Sequence, residues 1–495
     1  MSAAGGPRHV AVVGAGPAGL AAARAAAEAG ARVTLLDAAD QTGGQYWRHP
    51  AEPLDHLAPD DLSVQHGWRT YRALDDAVRT HPRVDVVTGA QVWAAEQHDD
   101  GQRLHVLVGL PDDLDREALT LAPDAVVVAT GAHDRTLPFP GWDLPGVTTA
   151  GAAQALVKGD RVAVGDRVVV AGAGPFLLPV AATLAARGTS VVEVLEASSA
   201  RALARGWLTS PWRLSGSTAK LTELAGYAAT HVRHRIPYRI GSAVVAAHGT
   251  THVEAVTIAR LDAGWAPVPG TERTLEVDAV CVSHGFTPRL EIAIALGTRI
   301  TPSRFVSVDD RQRTSSPGVW AAGETTGIGG VDAALAEGWL AGHDAAGGDP
   351  ATPDARRAVK RRRATREVAA RLARAHGIRP GWVSWLRDDT IVCRCEEVTA
   401  GRLRETVALT ASTDPVSVKL TSRAGLGICQ GRMCSPAVSA LLGAPGALEA
   451  RPVVTPVRLG DLARAGSPPP TSRTTTSPGT RPGDEHPTPE RKDTP

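Results

Sequence analysis

Four of the chain's five cysteines fall in one short block, as Cys393-Arg-Cys395 and then Cys429-Gln-Gly-Arg-Met-Cys434. Four thiolates suit either a [2Fe–2S] cluster or a tetrahedral zinc ion. Zinc sites favour two C-x₂₋₄-C knuckles, and a C-x-C followed by a distant C-x₄-C departs from that pattern. The expectation is therefore a [2Fe–2S] cluster on Cys393, Cys395, Cys429 and Cys434, with zinc and an empty site as the alternatives. Gly425, Gly427 and Gly431 would let backbone N–H groups reach the sulfurs, and Arg394, Arg423 and Arg432 would offset a cluster's negative charge. So local a set is not a secreted disulfide framework.

A second kind of chemistry is written in glycines. The apolar run Val10–Val13 leads into Gly14, Gly16, Pro17 and Gly19, then an alanine-rich helical stretch, then Val33–Leu36 ending on Asp37. Gly14 permits a tight turn, Gly16 leaves room for a pyrophosphate, and Gly19 lets helix and strand approach. The helix start offers free N–H groups to phosphate, and Asp37 stands where an acid accepts from a ribose hydroxyl. The pattern begins again at Asp166, with strand Val168–Ala171, Gly172 and Gly174, and strand Val191–Leu195 ending on Glu196. Leu177 replaces the third glycine there, which would crowd helix against strand. Glu196 favours a free ribose diol over a 2′-phosphate, hence NAD or another adenine nucleotide over NADP. A structural nucleotide fold with nothing catalytic bound is the alternative.

The elements that must position these residues follow from the apolar pattern. Trp68–Val78 reads as a helix; Val84–Thr88, Ala90–Ala95 and Leu104–Leu110 read as strands. Ala125–Ala129 is a buried strand that runs into Thr130-Gly131. Ala279–Ser283 is another strand, and Gly318–Glu324 a strand ending on Gly323 and Glu324, before a helix over Val331–Gly342. The expected architecture is α/β. Two Rossmann-like dinucleotide-binding domains, the second inserted in the first, precede a small C-terminal [2Fe–2S] domain and a disordered tail. The expected bounds are 8–150 with 300–345 for the first domain, 151–299 for the second, 346–388 for a linker with a basic helix, 389–451 for the cysteine domain and 467–495 for the tail.

Lys and Arg number 53 against 52 Asp and Glu, so no net field favours nucleic acid or membrane. The arginine-rich run 356–374 reads as a solvated helix face, with Val359, Val368, Leu372 and Ala375 as its packing side. No stretch has the length of a transmembrane span, and the first residues lack a signal-peptide core, so the expected location is cytoplasmic.

In combination these motifs resemble the two-dinucleotide-domain flavoproteins, and the cysteine block resembles the bacterioferritin-associated ferredoxin type of [2Fe–2S] domain. The whole arrangement is similar to the A (alpha) subunits of octopine/nopaline oxidase, hydroxyproline/proline dehydrogenase and hydrogen cyanide synthase. The resemblance implies that Gly14, Gly16, Gly19 and Asp37 hold the ADP half of FAD. It implies that Gly44 and Gln45 approach the flavin, that Val92 lies near the adenine, and that Gly323 and Glu324 fill the position where a Gly-Asp bonds the ribityl or pyrophosphate. The helix near Gly330 would aim its N-terminus at the flavin. Many such flavoproteins carry a C-x-x-C beside the flavin; here Cys281 stands alone before position 393 and reads as a core residue.

The expectation for function is an FAD- and [2Fe–2S]-dependent subunit that takes electrons from a partner FAD-containing subunit oxidising an amino or imino acid. A self-sufficient NADH-dependent flavin reductase and a non-catalytic nucleotide-binding scaffold are the alternatives. No catalytic acid or base is assigned; His49, His133 and His284 read as packing or surface residues.

Overall fold

The computed structural model describes residues 6–51, 64–208, 226–227, 229–443, 451 and 453–465. The expected tail, 467–495, lies outside the described residues. The chain opens with β1 (His9–Val13), α1 (Pro17–Glu28), β2 (Arg32–Leu36), α2 (Trp68–Arg79) and β3 (Val84–Val87), and β1–β2–β3 pair in parallel. Val10 to Val12 are fully buried, as strands covered on both faces require. An antiparallel sheet of β4 (Ala90–His98), β5 (Gly101–Val108) and β6 (Glu117–Leu121) follows, and then β7 (Ala125–Val128) pairs parallel with β1.

The chain then crosses to a second body through β8 (Ala132–Asp134). There β9 (Val147–Thr149), α3 (Ala150–Lys158), β10 (Arg167–Gly172), α4 (Leu177–Ala186), β11 (Ser190–Glu196), α5 (Ala200–Leu208) and β12 (Tyr238–Ile240) precede an antiparallel trio. The trio is β13 (Ser242–His248), β14 (Ala255–Arg260) and β15 (Arg273–Glu276), and β16 (Ala279–Ser283) follows it. The parallel sheet runs β12-β11-β10-β16-β9. The trio has no counterpart in the strands read from the sequence.

The return crossing is β17 (Phe286–Pro288), antiparallel to β8. The next helix, α6 (Glu291–Ala295), already packs Ile292 and Ala293 with Val13 and Val126, so the chain rejoins the first body before residue 300. β18 (Val319–Ala321) completes the first sheet as β18-β7-β1-β2-β3. Helix α7 (Gly330–Ala345) lies on α1, and the approach is set by Gly338 and Gly342. A Cβ on either would sit 2.1 Å from Ala18 O or 2.0 Å from Ala22 O.

α8 (Pro353–His376) keeps most of its arginines exposed, as expected of a solvated face, but two of them fasten it to its neighbours. Arg362 and Arg371 are buried; Arg362 bonds Asp310 Oδ1 at 2.8 Å, and Arg371 donates to Trp207 O on α5 at 3.1 Å. The last body holds β19 (Ile391–Cys393), β20 (Val398–Thr399), α9 (Ala400–Thr410), α10 (Pro415–Ser422) and α11 (Ser435–Leu442), and α12 (Leu459–Ala465) then returns to pack on β6 of the first body. The last body docks on the second body through indoles. Trp385 Nε1 donates to Trp265 O at 2.8 Å, and Trp142 Nε1 donates to Ile391 O at 2.7 Å. Trp265, Trp382 and Trp385 are all under a tenth exposed. Burying an indole removes about 150–250 Å² from water, worth on the order of 4–6 kcal/mol each as an upper bound. That is enough to hold the cysteine domain in one place.

Candidate functional site

The first glycine turn is shaped by contacts no side chain could tolerate. Gly14 has φ +105°, and a Cβ there would lie 2.3 Å from Ala129 O. A Cβ on Gly19 would lie 1.6 Å from Gly14 O, so glycine alone lets α1 rest on the turn. Pro17 occupies the first turn of α1, where its missing N–H costs nothing. A Cβ on Gly44 would meet Gly16 Cα at 2.8 Å, so two loops close on each other there. Gly14, Gly16, Pro17, Gly44 and Gln45 thus wall one end of a cavity of about 2230 Å³, while Gly19 lies behind the wall.

Asp37 faces the same cavity. Its carboxylate accepts from Ala15 N–H at 2.5 Å and Ala39 N–H at 2.8 Å, and burial still pushes its pKa up. A desolvated acid at the cavity wall is what a ribose hydroxyl would satisfy. The helix start, the room at Gly16 and this acid fit the adenosine diphosphate half of FAD. Val92, Thr130, Gly131, Gly323 and Glu324 line the cavity as well.

Glu324 is engaged within the chain. Its Oε1 accepts from Gly330 N–H at 3.0 Å, capping α7. Burial, with Glu337 nearby, pushes its pKa up to about 7. The first amide of α7 is thus already bonded from within the chain. Behind it, Glu337 Oε2 accepts from Gly323 N–H at 3.0 Å, and Arg366 on α8 donates to Glu337 Oε1 at 2.8 Å.

The second unit differs where it matters. Gly172 is forced, since a Cβ would sit 1.7 Å from Ser283 O, and Gly174 lines the cavity with open space at its Cβ position. Leu177, however, is fully buried with Val168, Val170 and Val180, and α4 begins only there. Glu196 has no exposure and no place on the cavity wall. Its Oε2 accepts from Gly174 N–H at 2.9 Å and its Oε1 from Ser198 N–H at 2.8 Å. Tyr238 OH donates to it at 3.3 Å, and His376 Nδ1, from the end of α8, lies 3.2 Å away. Burial alone would raise its pKa, but the partners together, His376 foremost, hold it down. Glu196, expected to read a ribose, is therefore fully buried and bonded from within the chain, unlike Asp37 on the cavity wall.

The four thiols pair two and two. Cys393 shares a hydrogen bond with Cys434, and Cys395 with Cys429, each pair feeling the other's charge. Bonding to Cys434, with Gly425 N–H 3.4 Å from its Sγ, pulls the Cys393 thiol down to about 6, while Cys434 is pushed up. Among the described residues no three His, Cys, Asp or Glu side chains gather as a single-ion cage. Four cysteines brought together in one place, with a backbone N–H beside Cys393, fit a [2Fe–2S] cluster. Gly427 allows the close approach, since a Cβ there would lie 2.4 Å from Cys395 Cβ. The flanking arginines are not free counter-charges: Arg423 pairs with Glu396 at 2.7 Å and Arg432 with Glu291 at 2.6 Å, and Arg394 lies over the Trp142 ring.

Ile428, Cys429 and Arg432 line the same cavity as the first glycine turn. His133 Nε2 reaches Arg432 O at 3.4 Å, tying β8 to the cysteine domain. His49 is buried, bonded to Tyr71 OH at 2.9 Å. His284 is buried beside the stacked Trp265 and Trp385 rings, and burial lowers its pKa to about 4. Cys281, on β16, is fully buried with its pKa raised to about 12. Sequence reasoning missed Glu337, Arg366 and His376, which meet the site from α7 and α8. It also missed the segment after the cysteine block, where Val454 N–H bonds Trp93 O at 2.8 Å beside Val92 and Asp461 pairs with buried Arg116 at 2.5 Å.

Fold and site together define a two-domain flavin oxidoreductase with an appended iron–sulfur module. The chain belongs to the pyridine nucleotide-disulphide oxidoreductase family, which it matches over residues 8–338, and residues 391–444 match the BFD-like [2Fe-2S] binding domain. It is 32% identical to the opine oxidase A-type subunit of Agrobacterium tumefaciens (strain Ach5), covering 91% of this chain and 90% of that one. It is 30% identical to the HcnB subunit of hydrogen cyanide synthase from Pseudomonas protegens, covering 86% and 89%. Among solved structures, L-proline dehydrogenase from P. horikoshii shares the fold with a TM-score of 0.60 at 20% identity, over 92% of this chain and 79% of that one. The protein is an FAD-dependent oxidoreductase whose cofactors are FAD and a [2Fe–2S] cluster. No helix among the described residues is long and apolar enough to cross a membrane.

Proposed function

We propose that the chain is the electron-transfer subunit of a hetero-oligomeric dehydrogenase or oxidase. In this reading a partner FAD-containing subunit takes two electrons from the C–N bond of an amino or imino acid of opine, proline or hydroxyproline type. When bound, FAD accepts electrons in pairs and releases them singly to the iron of the cluster. The observation that carries the reading is that Cys429 and the Gly14–Gly16 turn wall one cavity, so both cofactor cradles open on a common space. The relatives are themselves named as subunits, of opine oxidase and of hydrogen cyanide synthase.

The chain's residues act as holders and insulators. Gly14, Gly16 and the start of α1 bind the pyrophosphate, and Asp37 orients the ribose. Glu324 and Glu337, braced by Arg366, fix the loop at Gly323. The indoles at the docking face keep the cysteine domain against β8. Cys281, the one thiol in the nucleotide-binding region, is buried on its strand, so no dithiol stands beside the flavin to divert electrons.

The test is purification of the chain with its native partners, followed by turnover with an external electron acceptor. Cys429→Ser should abolish acceptor reduction while leaving flavin content unchanged. Unaltered turnover in Cys429→Ser would reject the reading in favour of a scaffold. Flavin bleaching by NADH alone at the speed of turnover would reject it in favour of a self-sufficient reductase.

A further inference from the structure

One wall of the cavity is built by the loop Gln45–His49 of the first body and by α3 of the second. Two cations stand on it. Lys158, in the last turn of α3, is only 7% exposed, yet among the described residues its ammonium has no hydrogen bond and no ion pair. Burial, together with the positive charge of Arg48, pulls its pKa down to about 8. Arg48 donates one hydrogen bond, to Gly151 O at 2.5 Å, which lays its guanidinium along α3. Asp134 and Asp160 line the same cavity and attract Arg48; Asp134 Oδ2 accepts from Thr149 Oγ1 at 2.6 Å and Gly151 N–H at 3.0 Å, while neither carboxylate forms an ion pair with Lys158.

A buried ammonium beside a guanidinium is unfavourable unless something negative joins them. The C-terminal end of α3 favours a cation, but that effect is small beside the loss of hydration. Neither charge has a part in holding FAD or the cluster as described above. Both face the open cavity, and an arginine fork with a lysine point charge is the pairing that recognises planar or tetrahedral oxyanions.

We propose that Lys158 and Arg48 form an oxyanion-binding subsite, which takes the carboxylate or phosphate group of a small molecule entering the shared cavity. The ligand's negative group sits at the Lys158 ammonium, with Arg48 adding positive charge from the facing loop. This site is independent of whether a partner subunit supplies the electrons.

Calorimetric titration of the intact flavin-loaded protein with inorganic phosphate, and separately with acetate, tests it without turnover. At least one anion should bind, and Lys158→Met should weaken that binding about tenfold or more. Preference for phosphate assigns a phosphorylated ligand, and preference for acetate a carboxylate. Lys158→Met should also unfold no earlier than wild type in anion-free buffer, because the change removes an uncompensated buried charge. Binding of neither anion, equal binding to the variant, or an earlier unfolding midpoint for Lys158→Met would each overturn the proposal. Lys158→Gln, which keeps a polar head, should lose anion binding in the same way; retained binding there would overturn it too.

Discussion

The two nucleotide-binding units start from nearly the same sequence and end as different objects. In the first, Gly19 lets α1 begin at Pro17 and lie on the turn; in the second, Leu177 fills that place and α4 starts later. Asp37 stands on the cavity wall with two backbone donors, whereas Glu196 is sealed beneath with four partners. One acid faces the cavity, and the other meets α8 through His376. A fingerprint therefore reports the backbone path more faithfully than it reports the surroundings of the acid.

The comparison can be broken most severely at the third position of each turn. Gly19→Val should yield protein without flavin, read from its visible spectrum, because the new side chain collides with backbone at Gly14. Flavin retained at the wild-type level would refute the account of that turn. Leu177→Ala should keep flavin and cost about 2–5 kcal/mol in denaturant melts, as a buried leucine truncated in a packed cluster does.

The acids provide a finer test. Glu196→Gln should cost about 1–3 kcal/mol at neutral pH, since it weakens charged hydrogen bonds in a buried site. The pH dependence has opposite signs at the two acids. The pKa of Glu196 is lowered in the folded chain, so its contribution is present above the ordinary value of 4.5 and is lost as pH falls through the folded value. That of Asp37 is raised from 3.8, so in flavin-free protein its contribution is greatest in acid and is lost as pH rises through the folded value. Urea melts across the acid range should show Glu196→Gln flattening the loss of stability toward low pH. An unchanged slope would mean that Glu196 is not held as described.

The smallest effect is expected where α8 meets Glu196. His376→Gln should lower stability by about 1 kcal/mol or less, since it removes one of several partners of Glu196 and leaves the rest. A larger loss would place more of the fastening of α8 on this contact than the geometry gives it.

Much of this was legible in the sequence because it is local. The strand–glycine–helix–strand–acid order at 10–37, its repeat at 168–196 and the cysteine spacing each fall within a few tens of residues. What was not legible joins distant stretches. Nothing near Glu196 announces His376, nothing near Gly323 announces Arg366, and the pairing of Gly338 and Gly342 with Ala18 and Ala22 emerges only when two helices meet. In the basic run 356–374 most arginines are exposed as read, but the two buried ones, Arg362 and Arg371, could not be picked out until their partner elements were in place.

The central claim is that an isoalloxazine and a cluster share this chain and exchange electrons. Anaerobic reductive titration of the purified protein, followed optically and by electron paramagnetic resonance, tests it most directly. The account predicts uptake of about three electrons per chain, two by flavin and one by the iron pair, with both signals rising in one preparation. Uptake of only two, with no iron signal after anaerobic reconstitution, would contradict it.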